Sequence, residues 1–106
     1  MWLDYVRERM PMKNVIEMEE GFAIYYNIEA ESAVYIEEIY IKPQFRRSDI
    51  ASSLMRDIIK ESVMPYMLGS IDVSTEGKTA SLKGMLKAGF EPYRTEGNLM
   101  FFRKEL

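Results

Sequence analysis

The sequence contains no cysteine and no histidine. Without cysteine there is no disulfide, no thiolate-bound zinc and no thiol nucleophile. Without histidine there is no Ser–His–Asp triad, no imidazole metal ligand and no imidazole base. Proton transfer is left to Glu, Asp, Lys, Tyr or a relayed water. Apolar runs last only a few residues, far short of the ~20 that cross a bilayer. Basic residues are outnumbered, fourteen Lys and Arg against seventeen Asp and Glu, for a formal charge of −3. That balance opposes a nucleic-acid binder, which presents a basic face. Met1 to Met10 carry Asp4, Arg7, Glu8 and Arg9 and no apolar core, so no signal peptide is expected and the expected compartment is the cytoplasm.

The chain has 106 residues, of which 47% are hydrophobic and 29% charged. That is the size and mix of one globular domain over residues 1–106. Nine methionines suit the filling of an irregular core.

Hydrophobic periodicity predicts the element order α–β–β–β–α–β–α–β–β. Trp2, Leu3, Tyr5, Val6 and Met10 recur at helical spacing, and Pro11 ends that helix. Val15 to Met18 and Phe22 to Ile28 read as two strands of a hairpin around Gly21, and Ala33 to Lys42 as a third strand stopped by Pro43. Ile50, Ala51, Leu54, Met55, Ile58, Ile59 and Met64 follow a helical period up to Pro65. A short strand is expected at Ser70 to Ser74. A helix follows over Thr79 to Ala88, with Leu82, Met85 and Leu86 on one face and Gly89 as its cap. Phe90 to Arg94 and Leu99 to Lys104 form a closing hairpin. An antiparallel meander followed by βαβ units gives an α/β fold with a sheet of mixed direction.

The chemistry concentrates between Ile39 and Met55. A strand ends at Pro43, a loop carries Arg46 and Arg47, and a helix opens on Ala51, Ser52 and Ser53. Small residues at a helix start let a ligand approach the free backbone N–H groups. The helix dipole and two guanidinium groups make this an anion site suited to a phosphate or pyrophosphate. The plainer reading is a solvated loop in which Ser48 or Asp49 caps the helix. A rival phosphate loop at Asp72 to Thr79 misses its pattern by one residue, Asp72 standing where glycine is required.

Ile41-Lys-Pro43, Phe45-Arg46, Ile50-Ala51 and Leu54-Met55, in that order, resemble the acetyl-CoA motif of the GNAT superfamily of N-acetyltransferases. The strand at Ile71 to Val73, the helix ending in Gly89-Phe90 and the final hairpin agree, so the resemblance covers about residues 14 to 106. It implies an acyl-CoA N-acyltransferase fold: a mixed, mostly antiparallel central sheet with flanking helices, here with the N-terminal helices truncated.

The resemblance also implies acetyl-CoA as co-substrate and no metal. The backbone of Ile39, Tyr40 and Ile41 would hold the pantetheine arm. Backbone N–H groups from Arg47, Ser48, Asp49, Ile50, Ala51 and Ser52 would hold the pyrophosphate, with charge from Arg46 and Arg47. One of Glu37 and Glu38 would serve as base. Strand alternation puts these two on opposite faces, Ile39 and Ile41 with Glu37, and Val34, Ile36 and Tyr40 with Glu38. Three positions depart from the family: its loop glycine is Asp49, its asparagine is Lys78, which would still be counted among the cofactor-binding residues, and its tyrosine acid is Met85. They support a second reading, a GNAT fold that has lost catalysis and acts as a binding module. The expected acceptor is a small-molecule or protein amine, with no nucleic acid and no membrane. A homodimer is expected too. Phe22, Ile24, Tyr25, Tyr26 and Ile28 would form an apolar surface that a partner covers, at an interface including the N-terminal helix or the first hairpin.

Overall fold

The computed structural model describes residues 12–46, 50–74 and 78–106. The helix expected over Met1 to Met10 lies outside them. Among the described residues, six strands and two α-helices follow in order: β1 (Asn14–Met18), β2 (Gly21–Ile28), β3 (Ala33–Ile41), α1 (Ile50–Glu61), β4 (Tyr66–Asp72), α2 (Lys78–Lys87), β5 (Glu91–Glu96) and β6 (Leu99–Glu105). The strands form one sheet in the order β1-β2-β3-β4-β6-β5. Only β3 and β4 run parallel; every other neighbouring pair is antiparallel. This is the mixed, mostly antiparallel α/β sheet with flanking helices that the sequence predicts.

The β-branched and aromatic run in β2 alternates between the two faces of the sheet. Ala23 and Tyr25 join Val34, Met67 and Phe102 on one face, where they meet Leu54 and Ile58 of α1 and Phe90. Leu54 and Ile58 are four residues apart and therefore share a side of their helix. Leu82 and Met85 bring α2 onto the same cluster, and Ala88 follows just past its end. Fully burying side chains of this size contributes about 1.5–3 kcal/mol each.

Several details differ from the sequence-based expectation. The hairpin turns at Glu19-Glu20, with Gly21 already in β2 opposite Met18. Tyr25 belongs to the helix-covered core, at 7% exposure, and not to an open surface; Ile24 is buried as well. Helix α1 stops at Glu61 and not Met64. The Ser62 N–H bonds the Ile58 and Ile59 carbonyls, Ser62 Oγ accepts from the Met64 N–H, and Pro65 disfavours helical backbone at Met64. Strand β4 starts at Tyr66, four residues before Ser70, and ends at Asp72. Tyr66, Met67 and Leu68 are held between β3 and β6, although Pro65 and Gly69 break the apolar pattern in the sequence.

Helix α2 runs one residue earlier at each end than expected, and Leu86 is 49% exposed and not on the core face. Gly89 caps it as expected. It sits at φ +92°, its N–H bonds the Leu86 carbonyl, and the Phe90 N–H bonds the Met85 carbonyl. That pair of bonds closes the helix end and turns Phe90 into the core. No helix among the described residues is long and apolar enough to cross a membrane.

Candidate active site

The parallel pair is brief. Ala33, Val34 and Tyr35 pair with Tyr66, Met67 and Leu68, and there the ladder ends. Strand β3 continues to Ile41 and β4 to Asp72 without pairing to each other. The two strands part toward their C-terminal ends, so a wedge opens in the middle of the sheet. Both helix starts, Ile50 and Lys78, follow those same strand ends. Ligands of α/β sheets bind outside the carboxyl ends of parallel strands, where helix N-termini gather.

The wall of the wedge carries an irregularity. Ile24 pairs with Glu38 and Tyr25 with Ile36, which leaves Glu37 as an extra residue in β3. A bulge of this kind re-aims side chains and interrupts alternation. Glu37 and Glu38 therefore do not point to opposite faces, as strict alternation requires. Glu37 accepts from Lys13 Nζ, which lies 5.6 Å from the Tyr26 ring centre. Glu38 stands opposite Ile24, between the ring pairs Phe22–Tyr40 (5.6 Å) and Tyr26–Tyr35 (5.5 Å). Both carboxylates thus occupy the face turned away from α1 and α2, together with Tyr40. Ile36, Ile39 and Ile41 pack toward the helices. Partial withdrawal from water, then the neighbouring charge of Glu37, push the Glu38 carboxyl above the usual carboxylate range. Glu37 is engaged by Lys13, whereas Glu38, its carboxyl pushed upward, is suited to accept a proton.

At the open end, a tight turn over Pro43–Phe45 reverses the chain. Arg46 folds back across the end of β3. Its Nε donates to the Ile41 carbonyl at 3.0 Å, and its guanidinium lies 5.9 Å from the Tyr40 ring centre. Ile50 and Ala51 are half-buried and Ser52 is exposed in the first turn of α1, whose N–H groups have no intrahelical partners. Lys78 opens α2 at the end of the second wall. Arg47, Ser48 and Asp49 lie outside the described residues. Ile39, Tyr40, Ile41, Arg46, Ile50, Ala51 and Ser52 are thus brought to one end of the wedge.

The closed end holds a contact that the sequence did not signal. Tyr35 and Ser70 share a hydrogen bond of 2.7 Å between their hydroxyl groups. Tyr35 is the last paired residue of β3, and Ser70 lies two beyond the last pair in β4. The bond bridges the gap where it begins. On the helix-covered face, Met85 lies against Gly69. Nothing in local spacing joins residues 35 apart, so only the tertiary pairing of β3 and β4 reveals the bridge. Among the described residues, no group of three His, Cys, Asp or Glu could hold a metal ion.

No family model matches the chain, and no curated protein matches it. Solved structures do. A protein from Desulfovibrio desulfuricans, described as a GNAT-family acetyltransferase, superposes with a TM-score of 0.77 at 15% identity, over 97% of this chain and 76% of that one. PaiA N-acetyltransferase from Thermoplasma acidophilum, in complex with coenzyme A, gives 0.72 at 16% identity over 98% and 68%. A Bacillus anthracis structure in complex with acetyl coenzyme A gives 0.74 at 16% identity over 91% and 64%. At these identities the shared property is the fold. The chain has the acyl-CoA N-acyltransferase fold of the GNAT superfamily, as its sequence resemblance implies.

Proposed function

We propose that the protein is an N-acetyltransferase that moves an acetyl group from acetyl-CoA to a primary amine. The observation that carries this reading is the parting of β3 from β4 beside a bulge that bears Glu38. The wedge takes a linear thioester arm, with the start of α1 and Arg46 at the end where a diphosphate would lie. Two of the similar structures hold coenzyme A or its acetyl thioester, which supports the same ligand here. The amine, as free base, attacks the thioester carbonyl carbon. The carbon–sulfur bond breaks, sulfur takes the electron pair, and the nitrogen releases its proton to Glu38 directly or through water. Met85 offers no proton, so the thiolate leaves as such and is protonated by solvent. The acceptor is a small molecule or a protein amine.

Thermal unfolding with and without acetyl-CoA tests the reading. A ligand at a hundred times its Kd stabilises by about 2.7 kcal/mol, and the unfolding midpoint should rise accordingly. An unchanged midpoint favours the alternative, a GNAT-fold module without co-substrate.

We also propose that the chain forms a homodimer through its first hairpin. Strands β1 and β5 are the outer strands among the described residues. Strand β5 carries Pro92, Arg94 and two glutamates, which discourage pairing, whereas β1 offers Val15, Ile16 and Met18. Light scattering that returns the mass of one chain at every concentration overturns this.

A further inference from the structure

We infer that the closed end of the wedge is a stop that restricts the transferred group to a short acyl chain, with the Tyr35–Ser70 bridge on one face and Met85 on the other. The inference rests on the acyl-CoA reading above and adds which acyl groups the site accepts. A linear thioester has a direction in this wedge. Its anionic end belongs at the open end, beside Arg46 and the first turn of α1. Its acyl end therefore leads toward the apex. From Ile41 back to Tyr35 the strand covers about 20 Å, at roughly 3.3 Å per residue. That is the scale of an extended pantetheine arm with its thioester.

Three barriers meet at the apex. The backbone ladder between Tyr35 and Leu68 closes the sheet itself. On the face that carries Glu37 and Glu38, the two hydroxyl groups cross the gap at 2.7 Å. The Tyr35 ring is held there by Tyr26, 5.5 Å away between ring centres. On the opposite face, Met85 lies so close to Gly69 that even one added carbon on Gly69 would sit 2.7 Å from its terminal methyl. Ile36 and Ile71, both half-buried against the core, flank this end. A methyl group finds apolar atoms of Met85 and the two isoleucines. A chain of several carbons must break the bridge or displace the methionine.

Calorimetric titration of the full chain with CoA, acetyl-CoA and hexanoyl-CoA tests this without knowledge of the acceptor. The expected result is binding of CoA and acetyl-CoA, with hexanoyl-CoA weaker by about tenfold or more, the discrimination that surplus methylenes meet in a closed pocket. Ser70→Ala, which opens the bridge without touching the core, and Met85→Ala should each bring hexanoyl-CoA to within about threefold of acetyl-CoA. Equal affinity of the wild-type chain for all acyl lengths overturns the stop. So does discrimination that survives in both variants. If not even CoA binds, the acyl-CoA reading itself fails and the stop falls with it.

Discussion

Met85 of α2 reaches across to the backbone of β4 at Gly69, and a methyl group placed on Gly69 would lie 2.7 Å from Met85 Cε. Glycine at this position lets the helix sit down on the strand. The atom in the way is the far end of a flexible side chain, which can swing aside. Gly69→Ala should therefore cost only about 1 kcal/mol in the wild-type chain, at the low end for overpacking. In a Met85→Ala background the same change should cost nearly nothing. A urea double-mutant cycle reads the coupling, expected near 1 kcal/mol. Strict additivity would show that the two residues do not meet.

Tyr25 ties β2 to the last turn of α1. Its hydroxyl donates to Glu61 Oε2 at 2.7 Å, and burial together with that carboxylate raises the phenol well above its ordinary value. A raised phenol pKa stabilises the fold fully below pH 10. That contribution is lost as pH rises past 10, where the unfolded chain ionises first. Tyr25→Phe should cost about 1 kcal/mol at neutral pH, since Glu61 remains exposed to water. The difference between the two proteins should shrink above pH 10. A constant difference through that range would mean that folding does not raise the phenol pKa.

The two helices of the described residues and most strands are legible because their apolar residues keep a regular period. Leu54 and Ile58 mark the buried side of α1, and Ala23 and Tyr25 are two apart on β2. Failures came where an extra residue or a tertiary partner breaks the period. Glu37 is the extra residue in β3, and one inserted position exchanges the faces of everything after it. In strand β4, which starts four residues before the expected Ser70, Gly69 looks like a break in the sequence, when the reason for it is the side chain of Met85 on another helix. The residues proposed to hold an anion stand together in the sequence as a motif. The Tyr35–Ser70 bridge does not, because it exists only once two distant strands lie side by side.

Glu38 sets a pH dependence. Its raised pKa means that the folded protein favours the neutral carboxyl relative to the unfolded chain. Ionisation at neutral pH then costs the fold a little, and that cost disappears below the ordinary carboxylate range. Glu38→Gln should stabilise the fold at pH 7, by at most about 1 kcal/mol because the side chain remains exposed to water, and leave stability unchanged well below the ordinary carboxylate range. In an acetyl-transfer assay the same variant should be slower by about a hundredfold or more and lose the acid limb of the rate profile. Full activity in Glu38→Gln, with the acid limb intact, would remove Glu38 from the reaction.

Arg46 separates a ligand site from a simple strand end. Its Nε already satisfies the Ile41 carbonyl, and its guanidinium rests near the Tyr40 ring, which fixes the side chain at the mouth of the wedge. A positive charge held there costs little further ordering when a diphosphate arrives. Charge-assisted contacts of this type contribute about 1.5–3 kcal/mol, so Arg46→Ala should weaken CoA binding by about tenfold or more. Arg46→Lys keeps the charge and loses the planar fork, and should recover only part of the affinity. The affinity of Arg46→Ala for CoA should also respond less to added salt than that of the wild-type chain, since one charge no longer faces the anion. Calorimetry at two salt concentrations measures both effects. Unchanged affinity and salt response in Arg46→Ala would reduce this arginine to a cap on β3 and move the anion site elsewhere.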